Sequence, residues 1–251
     1  MRALVLAAGV GSRLRPYTDR CPKPMLNVGG DPILSYNLVM LADAGIRDVV
    51  VNLHYLPEVV REHVGDGSAW GLHVTYSEEP TLRGTAGALV PFAESFRSGT
   101  FVIVFGDNLL DIDLVAMSAA HQSHRAVATL AVYSRDDVTR SGVAELGEND
   151  RVDRFVEKPR PGETTSHWVN AGVVIAEPAL LDYVPSDGAS DLGRDVLPAV
   201  QARGGLYAYR MSGGLWWFDR AEDYRAALAD PELAAFTANR HRGRGAQSSA
   251  G

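Results

Sequence analysis

Hydrophobic and polar positions along the chain fall into two regimes. Up to about residue 125, short apolar runs alternate with amphipathic stretches. "ALVLAAG" (3–9), "DVVVNLH" (48–54), "LHVTYS" (72–77) and "TFVIVFGDN" (100–108) read as strands bounded by glycine or polar residues. Helical patterns lie between them: "ILSYNLVMLADAG" (33–45), stopped by glycine, and "PEVVREHVG" (57–65), with proline in its first turn. "GTAGALVPFAESF" (84–96) also reads as helix, divided by Pro91. Strand and helix alternating at this spacing predict an open α/β sheet covered on both faces.

After about residue 126 the pieces are shorter and richer in β pattern. "AVATLAVY", "GVAELGENDRVDRFVEKP" and "HWVNAGVVIAE" predict strands, with "GENDR" as a hairpin turn. "DLGRDVLPAVQARG" (191–204) predicts a helix, "LYAYRMSGGLWWFD" a return to strand, and "RAEDYRAALAD" a closing amphipathic helix. This half is expected to complete the sheet and to build a lobe over its carboxyl edge. Residues 1–240 are read as one domain, with a second part from 126 to 240. Residues 241–251 carry too little apolar content to pack and are expected to be a disordered tail. No internal repeat is visible.

Composition narrows the partners. A chain of 251 residues can bury one substantial core, and 46% hydrophobic with 22% charged residues is ordinary for a soluble globular protein. A net charge of -7 argues against nucleic acid or an anionic membrane, while leaving room for a local basic pocket that takes a phosphorylated small molecule. No leader pattern and no apolar run of membrane-spanning length occurs, so a cytoplasmic protein is expected. Cys21 is the only cysteine, which excludes an intrachain disulfide and a multi-cysteine metal site. His54, His63, His73, His121, His124 and His167 form no metal-ligand pattern.

The chemistry concentrates in "LVLAAGVGSRLRPYTDRCPKPML" (4–26). A dinucleotide fingerprint would need a third glycine where Leu14 stands, and no Walker loop starts at Gly9 or Gly11. Small residues at Ala7, Ala8, Gly9 and Gly11 still allow backbone N–H groups to approach an anion. Arg13 and Lys23 add cations, with Pro22 and Pro24 bracing Lys23.

This segment resembles the signature of the sugar-1-phosphate nucleotidylyltransferases, which make NDP-sugars. "GIRDVVVNLHY", "GDGSAWGLHVTYSEEP", "RGTAGAL", "FGDN", "FVEKP", "VNAG", "RDVLPA" and "AEDY" agree in order as far as Tyr224. The resemblance implies an open, mostly parallel Rossmann-like sheet flanked by helices, with a smaller β-rich sugar-binding lobe of glycosyltransferase-A-like kind. The nucleotide-binding part would occupy roughly 1–125, in a short form without a C-terminal β-helix. It implies Mg2+-assisted in-line attack of a sugar 1-phosphate on the α-phosphorus of an NTP, releasing pyrophosphate. Partners would then be an NTP and a sugar 1-phosphate, with homo-oligomerisation left open.

Site residues follow from the same resemblance. Arg13, Lys23, Asp107 and Lys158 would be catalytic. Ala8, Gly9, Gly11, Ser12, Arg13, Lys23, Glu79, Gly84 and Thr85 would bind nucleotide; Gly142, Glu157, Lys158, Asn170 and Gly172 the sugar phosphate. Asp107 and Asp219 would hold the metal. From the residues alone, Asp107 could equally cap a helix, Lys158 could be an exposed hairpin lysine, and Asn170 and Gly172 could be turn residues. "WWFDRAEDY" is two residues shorter than the pattern it resembles, and an ungapped reading would put Trp217 at the ligand position. Asp111 and Asp113 are read as solvent or capping residues. Glu79 only accepts hydrogen bonds, which leans toward guanine, although the spacer before Gly84 has thymidylyl-type length. Transfer to a phosphorylated cyclitol, and a non-catalytic nucleotide-sugar-binding homologue, stand as alternatives.

Overall fold

The computed structural model describes residues 1–248, with side chains through Arg240. Its centre is a nine-stranded sheet. Strand β1 (Arg2–Leu6) leads into the loop of glycines and prolines, where β2 (Asn27–Val28) and β3 (Asp31–Pro32) form a small hairpin before helix α1 (Ile33–Asp43). Strand β4 (Asp48–Leu53), helix α2 (Pro57–Val64) and strand β5 (His73–Glu78) follow. The expected division at Pro91 is present: α3 (Gly84–Gly87) and α4 (Ala93–Phe96) are separated by a 3-10 turn at Val90–Phe92. Strand β6 (Phe101–Phe105), strand β7 (Asn108–Leu110) and helix α5 (Leu114–His124) close the first half.

The second half contains β8 (Ala128–Ser134), β9 (Gly142–Leu146), β10 (Val152–Glu157) and β11 (Trp168–Ala176). Helix α6 (Leu197–Ala202), strands β12 (Leu206–Arg210) and β13 (Leu215–Trp217), and helices α7 (Ala221–Leu228) and α8 (Pro231–Ser248) complete it. Helix α8 includes the start of the segment expected as a disordered tail; its last three residues lie outside the described ones.

Alternation along the strands covers both faces of the sheet. Ala3 and Val5 join one core with Val49, Val51, Val102 and Val104, while Leu4 joins the other with Val50, Phe101 and Ile103. The order β10-β9-β11-β6-β1-β4-β5 is parallel from β6 to β5. Beyond β6, strand β11 is antiparallel to β6, β8 and β9, and β9 pairs antiparallel with β10. The sheet is therefore mixed, not mostly parallel. For β9 and β10 the cause is local: residues 147–151 reverse the chain in a hairpin, whereas a parallel pair needs a long crossover; the direction of β11 follows from its pairing with distant strands.

Strands β4 and β6 lie on either side of β1, so the chain order reverses at β1. Leu6 is in register with Phe105, which puts the opening loop and the residues after β6 side by side at the carboxyl edge. Open α/β sheets form their ligand crevices at such an edge. A third apolar cluster joins the opening loop to the chain's end: Leu14, Leu26 and Ile33 pack with Leu109, Phe218 and Tyr224.

Candidate active site

Two adjoining cavities open at this edge. One is lined by Ala8, Gly9, Asn52, Glu79, Leu82 and Gly84; the other by Arg13, Gly142, Glu157, Lys158, Asn170 and Asp219, with Arg140 and Trp217. Thr85, Phe105, Asp107 and Asp191 line both. Most of the residues expected for nucleotide thus share one cavity, and most of those expected for sugar phosphate share the next.

Asp107 lies two residues beyond Phe105, the last residue of β6. The helix it might have capped begins elsewhere: Asp113 is the N-cap of α5 and accepts from the N–H of Ala116 at 2.9 Å. Lys23 Nζ donates to Asp107 Oδ2 at 2.6 Å and contacts Asp219 Oδ1 at 3.4 Å, linking segments 84 and 196 residues away. The lysine side chain is only 8% exposed. Burial alone would lower its pKa, but the two carboxylates outweigh burial and raise it, so it stays an ammonium. One compact cation sits between both carboxylates, and Asp219 lies two residues before α7 (Ala221–Leu228). There Asp223 caps the helix by accepting from the N–H of Arg220 at 3.0 Å.

Glu157 and Gly142 are register partners on β10 and β9. The Glu157 carboxylate lies against two glycines: a Cβ on Gly142 would fall 2.7 Å from its Oε2, and one on Gly193 2.5 Å. Burial raises its pKa above the usual carboxylate value, with Lys158 at 3.5 Å opposing. Lys158 adopts a left-handed backbone, φ 54°, which a lysine rarely takes and which is held here at the cavity wall. Asn170 lines the cavity while its Oδ1 accepts from the N–H of Gly172.

Not every expected residue comes to the expected cavity: Arg13, expected at the nucleotide, lines the one with Glu157 and Lys158, and others line neither. Lys23 lies beneath the seam, joined to it through Asp107 and Asp219. Gly11 and Ser12 form the start of a 3-10 turn, with the Gly11 carbonyl accepting from the Thr18 hydroxyl. Gly172 has φ 88° and sits where the β11–β8 register slips; a side chain there would strike Asn108 and Phe105. Gly84 lines the nucleotide-side cavity, and its missing side chain makes room for the Ser190 backbone.

Several residues were not legible from the sequence. Buried Asn52 accepts from the Ala7 N–H at 2.7 Å and donates to Glu79 Oε1 at 2.9 Å. The other Glu79 oxygen accepts from the Arg83 N–H at 3.0 Å, so the carboxylate ties the β1 loop to the β5–α3 loop. Asp191 accepts from the Thr85 hydroxyl at 2.9 Å and from the N–H groups of Gly193 and Arg194, which is a helix-cap signature in sequence terms. Arg140 carries no local signal at all; only the tertiary structure brings it to Asp219 and Asp223.

With this geometry in view, the chain can be set against known proteins. The family model for nucleotidyl transferases matches residues 2–227. The chain belongs to the nucleotidyl transferase family. It is 36% identical over 230 residues to the mannose-1-phosphate guanylyltransferase of Mycobacterium tuberculosis, a match covering 91% of this chain and 64% of that protein. It is 33% identical over 243 residues to the UTP–glucose-1-phosphate uridylyltransferase of Synechocystis, covering 91% and 62%. The chain therefore spans less than two thirds of the length of these curated relatives. Among solved structures, a protein of Bacillus anthracis provisionally assigned as a glucose-1-phosphate thymidylyltransferase superposes with a TM-score of 0.82 at 25% identity, over 93% of this chain and 95% of that one. HddC from Yersinia pseudotuberculosis superposes at 0.74 with 22% identity, over 91% and 98%, which is a likeness of fold.

Proposed function

We propose that this protein transfers a nucleoside monophosphate from an NTP to a sugar 1-phosphate, with release of pyrophosphate. The observation that carries this reading is the meeting of Asp107 and Asp219 at the Lys23 ammonium, where the two cavities join. An acceptor phosphate in one cavity and a nucleotide in the other would come together at that seam. The non-catalytic alternative rests on the shortened segment at Asp219; the approach of that carboxylate to the Lys23 ammonium beside Asp107 supports the catalytic reading. The relatives' names, a glucose-1-phosphate uridylyltransferase and a mannose-1-phosphate guanylyltransferase, point the same way.

The donor set fits magnesium. The described residues contain no group of three or more His, Cys, Asp and Glu side chains arranged for a metal. Magnesium, however, is commonly held by one or two carboxylates with substrate phosphates and water filling the other positions. Asp107 and Asp219 already share one cation. They would hold the ion, which when bound supplies charge neutralisation at the phosphates.

The protein's own groups do the rest by position and charge. Arg13 would offset phosphate charge from the acceptor side of the seam, and Lys23, bound to both carboxylates, would act there through Asp107 and Asp219. Lys158 holds the acceptor phosphate; Glu157 and Asn170 accept and donate to its ring hydroxyls. Glu79, buried and already accepting from Asn52 and the Arg83 N–H, borders the nucleotide-side cavity as an acceptor-only group, which gives a lean toward the N1–H and amino edge of guanine over uracil or thymine. The reading leans to GTP as donor, with dTTP or UTP next.

The test is pyrophosphate release with Mg2+ over a grid of five NTPs against mannose, glucose, N-acetylglucosamine, heptose and cyclitol 1-phosphates. A productive pair that Asp107→Asn abolishes is expected, with GTP the best donor. Silence across the grid despite nucleotide-sugar binding would overturn the catalytic reading.

A further inference from the structure

The acceptor-side cavity poses a charge problem. Asp107, Glu157, Asp191 and Asp219 all line it, and a sugar 1-phosphate brings a dianion. Lys158 is 53% exposed and already faces Glu157 at 3.5 Å, so it neutralises little of that charge alone. Arg13 also lines this cavity, reaching it from the opening loop. One other cation lines the cavity: Arg140.

We propose that Arg140 is a second binding cation for the acceptor's phosphate, a role that rests on the sugar 1-phosphate reading above. Its guanidinium is built into place from one side only. Nη2 donates to Asp223 Oδ2 at 2.8 Å and contacts Asp219 Oδ2 at 3.5 Å; Nε and Nη1 take no part in these bonds. An arginine has five N–H donors in a planar fork, so the unengaged edge retains the geometry that recognises a phosphate. The side chain is 27% exposed, screened on the Asp219 side and open toward the cavity.

The backbone places it beside Lys158. Arg140 sits two residues before Gly142, and the N–H of Lys158 donates to the carbonyl of Ser141 at 3.1 Å. Gly142 is in turn the register partner of Glu157. The two cations thus flank the Gly142–Glu157 pair, which lines the cavity. The loop carrying Arg140 is fastened at its other end, where the Arg135 guanidinium stacks 3.6 Å from the Trp217 ring centroid. Both arginines of this loop dock on the segment that carries Asp219. Arg140 accordingly ties the acceptor's phosphate to the carboxylate at the reaction seam.

The experiment is calorimetric titration of the full chain with α-D-mannose 1-phosphate, α-D-glucose 1-phosphate and inorganic phosphate, and separately with GTP and UTP. Arg140→Gln, Arg140→Lys and Asp223→Asn are compared with the wild type. Arg140→Gln should weaken the phosphates it binds about 10- to 100-fold, the scale of a lost charged hydrogen bond, with nucleotide affinity unchanged. Arg140→Lys should recover part of the loss. Asp223→Asn keeps an acceptor for Nη2 and for the helix cap, and should retain binding. Equal affinity in wild type and Arg140→Gln overturns the inference alone. So does an equal loss in Asp223→Asn, which would make Arg140 a brace for α7. A wild type that binds none of the three phosphates overturns the sugar 1-phosphate reading and this inference together.

Discussion

At the scale of single residues, the acceptor side depends on what is missing. Gly193 has no positive φ, so an alanine there costs no backbone strain and its effect reports contact alone. Because its Cβ would fall 2.5 Å from Glu157 Oε2, Gly193→Ala should push the carboxylate aside. We expect a rise in acceptor KM of roughly tenfold with the NTP KM unchanged, about the lower end of overpacking penalties, read by steady-state kinetics. Glu157 also predicts a pH dependence. Its folded pKa lies above the reference value of 4.5, so above pH 4.5 the folded state holds a proton that the unfolded state has lost. Stability should therefore fall as pH rises from about 4.5 through the folded pKa, then level off. Glu157→Gln should flatten that part of the melting temperature profile and leave the protein at least as stable at pH 7, while weakening the acceptor. A steeper profile in the variant would contradict the desolvated carboxylate.

Among elements, capping and buried relays set the loops around the cavities. Asp113→Ala should cost about 1 kcal/mol, the usual loss for a helix N-cap, and leave kinetics unaffected because α5 starts away from the cavities. A lowered melting temperature with unchanged kcat is the expected result. Asn52→Ala has a different reach. It orphans the Ala7 N–H and one Glu79 oxygen, both buried, at about 1–3 kcal/mol for each unsatisfied group. Since the relay joins the phosphate loop to the base side, nucleotide affinity should drop together with stability, measured by titration and by denaturant unfolding. The helix interrupted at Pro91 and the hairpin at residues 147–151 were legible because proline and turn residues act locally. The strand directions beyond β6 were not: pairing depends on which distant strand is met, and a strand's own pattern is the same in either direction.

Across the whole molecule, the site depends on an apolar cluster that lies beneath it. Phe218 is fully buried against the opening loop and α7, immediately before Asp219. Phe218→Ala should cost about 3–5 kcal/mol on denaturant unfolding. It should also loosen Asp219, so that activity falls further than that of an equally destabilised variant in the core around Phe96. Chain ends far apart in sequence are held at one place by this packing: Tyr224 Oη donates to the Asn27 carbonyl at 2.6 Å, 197 residues away. No helix among the described residues is long and apolar enough to cross a membrane, which matches the absence of such a run in the sequence.

The sequence alone determined the alternation of strand and helix, the breaks at glycine and proline, and the presence of a glycine- and proline-rich opening loop. These are short-range consequences of backbone sterics and of side-chain period. It also carried Arg13, Asp107 and Lys158 through spaced motifs. The tertiary structure decided the remainder: that Lys23 is buried between Asp107 and Asp219, that Asp113 and not Asp107 caps α5, and that Arg140 reaches the same seam. Those facts depend on where segments far apart in the chain come to rest. Packing of the buried clusters sets that outcome, and no local pattern of charge encodes it.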